Sequence, residues 1–210
     1  MLSYLTVPAA ARAEYTEKRS RFIGEILPVT TEAAAQEFIH ARCKEYWDAK
    51  HHVYAYVLDG GNLCRFSDDG EPQGTAGVPV LDVLRKEGLT DCAVVVTRYF
   101  GGILLGGGGL VRAYSHTAKL AVDAAGIVQM RPCLAGEVTC DYAQYGYLPA
   151  LIAAAGGTVT DTRFTDGVTV CFTLPKEERG GLEKALTERS AGTLTAEYTG
   201  TLYLPFPQNR

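Results

Sequence analysis

The chain has 210 residues, and its 47% hydrophobic and 21% charged residues are typical of a globular protein with one large domain or two small ones. The 20 Lys and Arg residues against 24 Asp and Glu residues give a net charge of −4, which excludes strong non-specific binding of nucleic acid over the whole surface. No apolar run is as long as a membrane span and the first residues lack a secretion signal, so we expect a cytoplasmic protein with no membrane partner.

The first part of the chain predicts a strand, a helix and a hairpin. The strand covers 20–28, and the helix after it is capped by Thr30 or Thr31. The hairpin joins the β-rich runs 53–59 and 63–67 through a glycine-containing turn.

Two irregular segments then alternate with regular elements. The acidic loop, DDGEPQGTAG at 68–77, is dense in turn formers and precedes a helix that Pro79 opens. The strand 92–100 leads into the glycine-rich segment 101–109, which contains six glycines. A helix over 110–125 follows.

The second half of the chain predicts the order βαββαβ, which is that of a ferredoxin-like sandwich. Pro132 breaks the pattern between the halves, so we expect two domains, 1–132 and 133–210. The six elements of the second domain are predicted at 136–142, 145–155, 158–164, 168–175, 176–189 and 193–205.

The glycine-rich segment fits neither common phosphate-binding motif. Gly107 stands where a P-loop requires Lys, and Val111 stands where the dinucleotide fingerprint requires Gly. The start of a helix still offers free backbone N–H groups, so an anion could dock there beside Arg98 or Arg112. The alternative is that the glycines serve close packing and positive φ angles.

The acidic loop has two interpretations as well. Asp68, Asp69 and Glu71 could bind Mg²⁺ or clamp an arginine, or the loop could be an exposed turn held by its own side chains. His51 and His52 are neighbours on a strand, so at most one of them points toward any given site.

Other catalytic and metal patterns lack support. The six cysteines are far apart and form no CxxC pair, so we expect reduced, mostly buried thiols, with neither a metal nor a cofactor. Ser115 and His116 are adjacent on a helix and point about 100° apart, which makes a catalytic Ser–His pair improbable.

Four blocks together resemble the IMPACT/YigZ family, and the C-terminal half resembles the second domain of its bacterial two-domain members. One departure is Leu104, at a place where the family often has a basic residue, which weakens a nucleic-acid role for this segment. The blocks are KRSRFIGEI (18–26), HHVYAYVLD (51–59), FSDDGEPQGTAGVPVL (66–81) and VVTRYFGGILLGGGGLVRAYS (95–115).

The resemblance implies a fold and a field of activity. The N-terminal domain would be a ribosomal-protein domain-2-like α/β sandwich, with helices on one face of a mixed sheet, and the C-terminal domain would resemble domain V of elongation factor G. Eukaryotic relatives regulate translation by competing for an activator of a stress-responsive initiation-factor kinase. No established reaction comes with the bacterial members.

We therefore expect a non-catalytic binding module linked to translation regulation, which contacts RNA, the ribosome or a protein partner. Arg98 and Arg112 would pair with phosphate or carboxylate groups, and Tyr99 would stack. The predicted ligand- or anion-binding residues are Arg98, Tyr99, Gly101, Gly102, Gly106, Gly108, Gly109 and Arg112. The predicted partner surface consists of His51, Asp68, Asp69, Glu71 and Thr75.

Two other hypotheses remain open at this point. In the first, the chain is an enzyme that acts on a nucleotide-like or phosphorylated small molecule, and Asp68, Asp69 or Glu71 binds a metal or acts as a base. In the second, both irregular segments serve packing. Asp68 or Asp69 would then bond backbone N–H groups of the glycine-rich segment, or pair with Arg98.

Overall fold

The computed structural model describes residues 3–208, which divide into two compact units. The first unit is formed by Tyr4–Gln129 together with residues 206–208, and the second by Met130–Pro205 together with Ser3. Each combines a β-sheet with α-helices, so the predicted α+β class is confirmed. Among the described residues, no helix is long and apolar enough to cross a bilayer.

One five-stranded sheet forms the centre of the first unit. Its order is β2-β3-β6-β4-β5, and every neighbouring pair is antiparallel. The described elements are β1 (Tyr4–Thr6), β2 (Ala11–Glu17), β3 (Ser20–Pro28), α1 (Glu32–Glu45), β4 (His51–Leu58), β5 (Leu63–Ser67), α2 (Gly77–Lys86), β6 (Cys92–Tyr99) and α3 (Gly107–Ala125).

Helices cover both faces of this sheet, which corrects the expectation of a mixed sheet with helices on one face. Helices α2 and α3 pack on one face against a core that includes Val53, Val94 and Val96. Helix α1 packs on the other face, where Tyr56 and Val95 are buried. Successive side chains of a strand point to opposite faces, so β6 is buried on both sides. Its unbroken apolar run is the sequence signal of that central position.

Most predicted elements of the first unit are present, with shifts at the helix starts. Strand β3 has the predicted bounds, and Thr31 is the residue that caps α1. Helix α2 begins at Gly77, two residues before Pro79. Helix α3 begins at Gly107 rather than at 110, because the last glycines of the run form its first turn. Strand β2 has no predicted counterpart, since alternate side chains of this edge strand are exposed and its sequence is mixed and polar.

The second unit has the ferredoxin-like topology that its sequence predicts. Within this unit β9 lies between β8 and β7, and β10 also pairs with β7, while helices α5 and α6 supply Leu148, Ile152, Leu182 and Leu186 to the core. The described elements are β7 (Val128–Cys140), α4 (Tyr142–Tyr145), α5 (Leu148–Ala154), β8 (Thr158–Phe164), β9 (Val168–Pro175), α6 (Arg179–Ser190) and β10 (Glu197–Pro207).

Several bounds in the second unit differ from the predicted ones. Strands β8 and β9 match them, whereas the single helix expected over 145–155 is the two short helices α4 and α5. Strand β7 starts at Val128, so Pro132 lies inside a strand. All six cysteines are free, and Cys92, Cys133 and Cys140 are the buried ones. Burial raises the pKa of the Cys92 thiol to about 12.

Candidate functional site

The side chain of Glu71 joins the acidic loop to the elements on either side of the glycine-rich segment. One carboxylate oxygen, Oε1, accepts hydrogen bonds from Nη1 of Arg98 (2.6 Å) and from the Tyr114 hydroxyl (2.8 Å). Arg98 lies at the end of β6, and Tyr114 lies on α3. Burial, reinforced by the negative charge of Glu71, raises the pKa of Tyr114 well above its usual range. The acidic loop and the glycine-rich segment are therefore held together by one buried polar cluster.

Arg98 belongs to the framework of the site. The residue is 6% exposed, and its guanidinium carbon lies 5.5 Å from the Phe22 ring centre and 5.6 Å from that of Phe100. Nη2 reaches Ser20 Oγ at 3.5 Å, and within residues 3–208 Nε has no hydrogen-bond partner. The pairing with Glu71 replaces the expected pairing with Asp68 or Asp69. Because the charge of Arg98 is neutralised inside the fold, it is poorly placed to contact a phosphate from solvent.

Asp68 has a structural task within its own loop. Its Oδ1 accepts hydrogen bonds from the backbone N–H groups of Ala76 (3.1 Å) and Gly77 (2.7 Å), and its Oδ2 accepts one from Gly74 (2.8 Å). These contacts satisfy donors at the start of α2, as a helix cap does. They also differ from the expected bonds to the glycine-rich segment, because a short Asp side chain reaches backbone groups nearby in sequence.

The rest of the acidic loop is held in a similar way. Asp69 accepts a hydrogen bond from the His52 backbone N–H through its side chain, and its carbonyl oxygen lies 2.8 Å from His51 Nδ1. The Thr75 hydroxyl donates to the carbonyl oxygen of Pro72 (2.6 Å). In the described part of the chain, no group of three or more His, Cys, Asp or Glu side chains is arranged to hold a metal ion. The loop is therefore held both by hydrogen bonds within itself and by hydrogen bonds to β4.

A cleft of about 420 Å³ opens between the acidic loop and the glycine-rich segment. Its walls are mostly apolar and include Pro72, Phe100 and Leu110, while Lys50 and His51 line one side. The ion pair of Arg98 with Glu71 also borders this space. The two irregular segments thus form the walls of one concave site.

Gly101 is required by a close backbone approach. A Cβ atom at this position would lie 2.0 Å from the carbonyl carbon of Arg19, so no other residue fits without movement of the backbone. Its N–H donates to Ser20 Oγ (3.2 Å). The turn between β2 and β3 is consequently packed against the start of the glycine-rich segment.

The other predicted glycines have different positions. Gly106 precedes α3 with a φ of 73°, a left-handed conformation that favours glycine, and Gly102 is also in that region. Gly108 and Gly109 lie in the first helical turn. A Cβ on Gly109 would be 3.0 Å from the Leu105 Cβ, so this turn is tightly packed. The packing hypothesis therefore accounts for much of the glycine content.

Tyr99 and Arg112 lie outside the cleft. The Tyr99 hydroxyl donates to Asp48 (2.7 Å), and burial together with that bond raises the pKa of the phenol. Arg112 borders a separate groove of about 580 Å³, whose lining includes Tyr15 and His116. The structure thus brings His51, Glu71, Arg98 and Gly106 to one cleft and leaves these two predicted residues elsewhere.

An exposed apolar patch stands at the mouth of the cleft. Leu104 and Phe100 line the cleft and are 81% and 52% exposed, and Ile103, next to Leu104 in the chain, is also exposed. Contiguous apolar surface is uncommon on a protein without a partner and marks interaction sites. The sequence contains a signal for these exposed residues, because Ile-Leu-Leu at 103–105 stands between two groups of glycines. Three consecutive apolar side chains in a segment without helix or strand cannot all point into the core.

One exposed cation lines the cleft, and two more lie in the turn between β2 and β3. Lys18, Arg19 and Lys50 are exposed, and none of them forms an ion pair with another residue of the range 3–208. Arg19 is packed against Gly101, and Lys50 lines the cleft. We call Lys18, Arg19 and Lys50 the basic rim. Neither the rim nor the role of Tyr114 was foreseen from the sequence, because both depend on the turn and strand ends that the fold brings together.

Comparison with known proteins places this site within a family domain. The Impact N-terminal domain matches residues 18–122, which include both irregular segments, and a domain of unknown function (DUF1949) matches residues 138–193. The IMPACT family member YvyE of Bacillus subtilis is 36% identical over 191 residues, covering 90% of this chain and 88% of that protein. The chain belongs to the IMPACT family. The resemblance seen in the sequence is thereby confirmed.

Other members of the IMPACT family match the chain over most of its length. YigZ of Escherichia coli is 34% identical over 192 residues, covering 90% of this chain and 94% of that protein. A solved structure described as that of an hypothetical protein is 32% identical, covers 95% of this chain and 98% of its own, and superposes with a TM-score of 0.62. The Protein IMPACT of Rattus norvegicus matches 47% of this chain at 31% identity, so that match is partial.

Proposed function

We propose that the chain is a non-catalytic binding module that acts in translation control in the cytoplasm. It docks on RNA, the ribosome or a translation-related protein through the cleft and the apolar patch. The observation that carries the proposal is the Glu71 cluster, which fixes two irregular segments as one preformed surface. The link to translation rests on the family resemblance.

A rigid surface favours recognition. Binding is weakened by the entropy lost when loops become ordered, and a loop already held by buried hydrogen bonds loses little. Here the acidic loop on one side of the cleft is held by the buried Glu71 cluster, while Leu104 and Phe100 on the other side are exposed. Exposed apolar residues on a fixed frame supply the area that a partner can bury.

The contacts favour binding over catalysis. Asp68 and Asp69, the acids considered as a base or as metal ligands, accept hydrogen bonds from backbone N–H groups. The Ser115 hydroxyl donates to the carbonyl oxygen of Val111, and His116 packs edge-on against Tyr15. These groups serve local structure, and none forms a nucleophile–base pair with another.

Co-sedimentation of the full chain with ribosomes and their separated subunits tests the proposal. We expect binding at low salt that weakens when Leu104 is replaced by Ser. Phe164→Ser is the control, because it removes an exposed apolar side chain from the second unit. Absence of co-sedimentation with ribosomes, subunits or extracted ribosomal RNA at low salt would contradict the role in translation.

A further inference from the structure

We infer that a second copy of this chain occupies the cleft, and that the Trp47 side chain of each copy enters the cleft of the other. The partner is therefore identical, and the same contact is made twice across a twofold axis. This inference goes beyond the proposed function, which does not depend on it. Self-association covers the surface that docks on other partners, so the two kinds of binding exclude each other.

Trp47 is an anchor without a pocket on its own chain. It is the one tryptophan of the sequence, it lies two residues after the end of α1, and it is 81% exposed. Tryptophan is among the residues most enriched at the centres of protein interfaces, where its ring fills a pocket on the partner. An exposed ring of this size therefore marks a contact with another molecule.

The cleft is a pocket that suits such a ring. Pro72 contributes to one wall, and Phe100, Leu105 and Leu110 contribute to the other. The volume of about 420 Å³ is within the range of pockets that enclose small ligands, so it has room for an indole. The Phe100 ring, 52% exposed, can pack against a second aromatic ring. An apolar anchor is the group that these walls accept.

Trp47 and the cleft lie beside each other at one end of the sheet of the first unit. The Tyr99 hydroxyl donates to Asp48 (2.7 Å), which ties the neighbour of Trp47 to the neighbour of Phe100. Lys50 lines the cleft three positions after Trp47, and three residues of chain span at most about 11 Å. An anchor and a pocket this close together can meet those of a second copy across one twofold axis, as a self-complementary interface requires.

The exposed apolar area fits a weak dimer. An aromatic side chain presents about 150–250 Å², so the exposed parts of Trp47, Phe100 and Leu104 amount to roughly 400–500 Å² in each copy. Two copies then bury roughly 800–1,000 Å² of apolar surface, near the lower limit of about 1,000 Å² for a specific interface. We therefore expect a dimer that dissociates on dilution.

The charges around the two surfaces do not oppose a second copy. Trp47 has the exposed Lys44 and Asp48 near it in the chain. The cleft has Lys50 on one side and the acidic loop on the other. Both surfaces carry charges of both signs, so opposite charges can face each other across the axis and neither surface presents an excess of one sign.

Analytical ultracentrifugation of the full chain over a range of concentrations, combined with tryptophan fluorescence, tests the inference. We expect a monomer–dimer equilibrium. As the dimer forms, the emission of Trp47 should move to shorter wavelength and become less accessible to iodide. The fluorescence reports on this one side chain, because the sequence contains no other tryptophan.

Two substitutions should weaken the dimer. Trp47→Ser and Leu104→Ser each raise the dissociation constant by about a hundredfold, because loss of a central contact costs about tenfold and the contact is made twice. Phe164→Ser is the matched control, since Phe164 is an exposed aromatic residue of the second unit, and it should dimerise like the wild type. Thermal unfolding first establishes that all three variants are folded.

An equimolar mixture of Trp47→Ser and Leu104→Ser tests the exchange of side chains itself. In the mixed dimer both missing side chains belong to one contact, and the other contact is complete. The mixture should therefore associate more tightly than either variant alone. A mixture as weak as the separate variants would contradict the placement of Trp47 in the cleft.

A wild-type chain that stays monomeric at the highest attainable concentration would overturn the inference, as would a dimer that Trp47→Ser leaves intact. Trp47→Ser should still co-sediment with ribosomes, because Trp47 is not part of the proposed docking surface. A monomeric wild type that binds ribosomes would refute the inference and leave the proposed function standing. A dimer that depends on Trp47, from a chain that binds neither ribosomes nor ribosomal RNA, would mean the reverse.

Discussion

An ion pair of the first unit and one of the second differ sharply in burial. In the first unit, Arg98 and Glu71 pair in the interior with side chains that are 7% and 4% exposed. In the second, Arg163 and Glu137 pair at the surface, with side chains that are 55% and 32% exposed. A charged residue gains little from a surface pair, whereas a buried pair leaves an unpaired charge inside the protein when either partner is removed.

The difference shows which part of the molecule depends on a buried polar contact for its shape. The second unit is a sandwich held by an apolar core, and its surface charges can vary without loss of shape. The first unit has an apolar core too, but its two irregular segments are fixed by a buried polar cluster. The candidate docking surface lies where that cluster is.

Glu71→Ala gives the largest expected loss of stability. It leaves the Arg98 charge buried without its partner, which costs about 3–5 kcal/mol in the free energy of unfolding. Urea unfolding followed by circular dichroism measures the change. The double variant Arg98→Met with Glu71→Leu removes both charges and should recover much of the loss. A double variant no more stable than Glu71→Ala would show that the buried charge is not the cause.

Asp68→Ala should have a smaller effect. Two backbone N–H groups at the start of α2 and that of Gly74 in the loop before it lose their acceptor, which lowers the free energy of unfolding by about 1–2 kcal/mol. Asp166→Ala in the turn between β8 and β9 is the control, because that side chain is exposed. Equal unfolding midpoints for the two variants would contradict the capping role.

The role of the buried Tyr114 phenol is tested by comparing how the stability of the wild type and of Tyr114→Phe changes with pH. Burial raises the pKa of Tyr114 in the folded chain above its unfolded value of about 10. The unfolded phenol therefore ionises first as pH rises through about 10, which favours unfolding, and the stability contributed below that pH is lost above it. We expect the urea midpoint of the wild type to fall more steeply above about pH 10 than that of Tyr114→Phe. Parallel curves for the two proteins would count against this role of the phenol.

Arg163→Ala should have the smallest effect of the series. The guanidinium is exposed at the surface, and solvent screens its attraction to Glu137. The unfolding midpoint should stay at the wild-type value. A loss comparable with that of Glu71→Ala would remove the contrast between the two units.

The sequence predicted those parts of the fold that depend on local patterns. Strands β8 and β9 are bounded by turn residues and have the predicted bounds, and the βαββαβ order follows from them. The start of α3 was missed because glycine is a poor helix former, yet packing of the rest of the helix holds Gly107 in its first turn. Helices on both faces of the sheet in the first unit were not predicted, although the unbroken apolar run of β6 favours burial on both faces.

The site was predicted less completely than the fold. The acidic loop and the glycine-rich segment were both identified. The packing hypothesis paired Arg98 with Asp68 or Asp69, whereas its partner is Glu71, which was named only among the acids that could clamp an arginine. The Asp68 and Asp69 side chains bond backbone N–H groups, that of Asp69 reaching His52, while the longer Glu71 side chain reaches the side chains of Arg98 and Tyr114. Contacts between residues 27 and 43 positions apart depend on the fold, and local spacing does not reveal them.

Amide hydrogen exchange of the wild type and of Glu71→Gln tests the central claim most directly. If one carboxylate holds both segments, exchange should become faster together in the acidic loop 68–77 and in the glycine-rich segment 101–109, while β8 and β9 keep their protection. Faster exchange in the acidic loop alone, with the glycine-rich segment unchanged, would contradict the account of a single fixed surface.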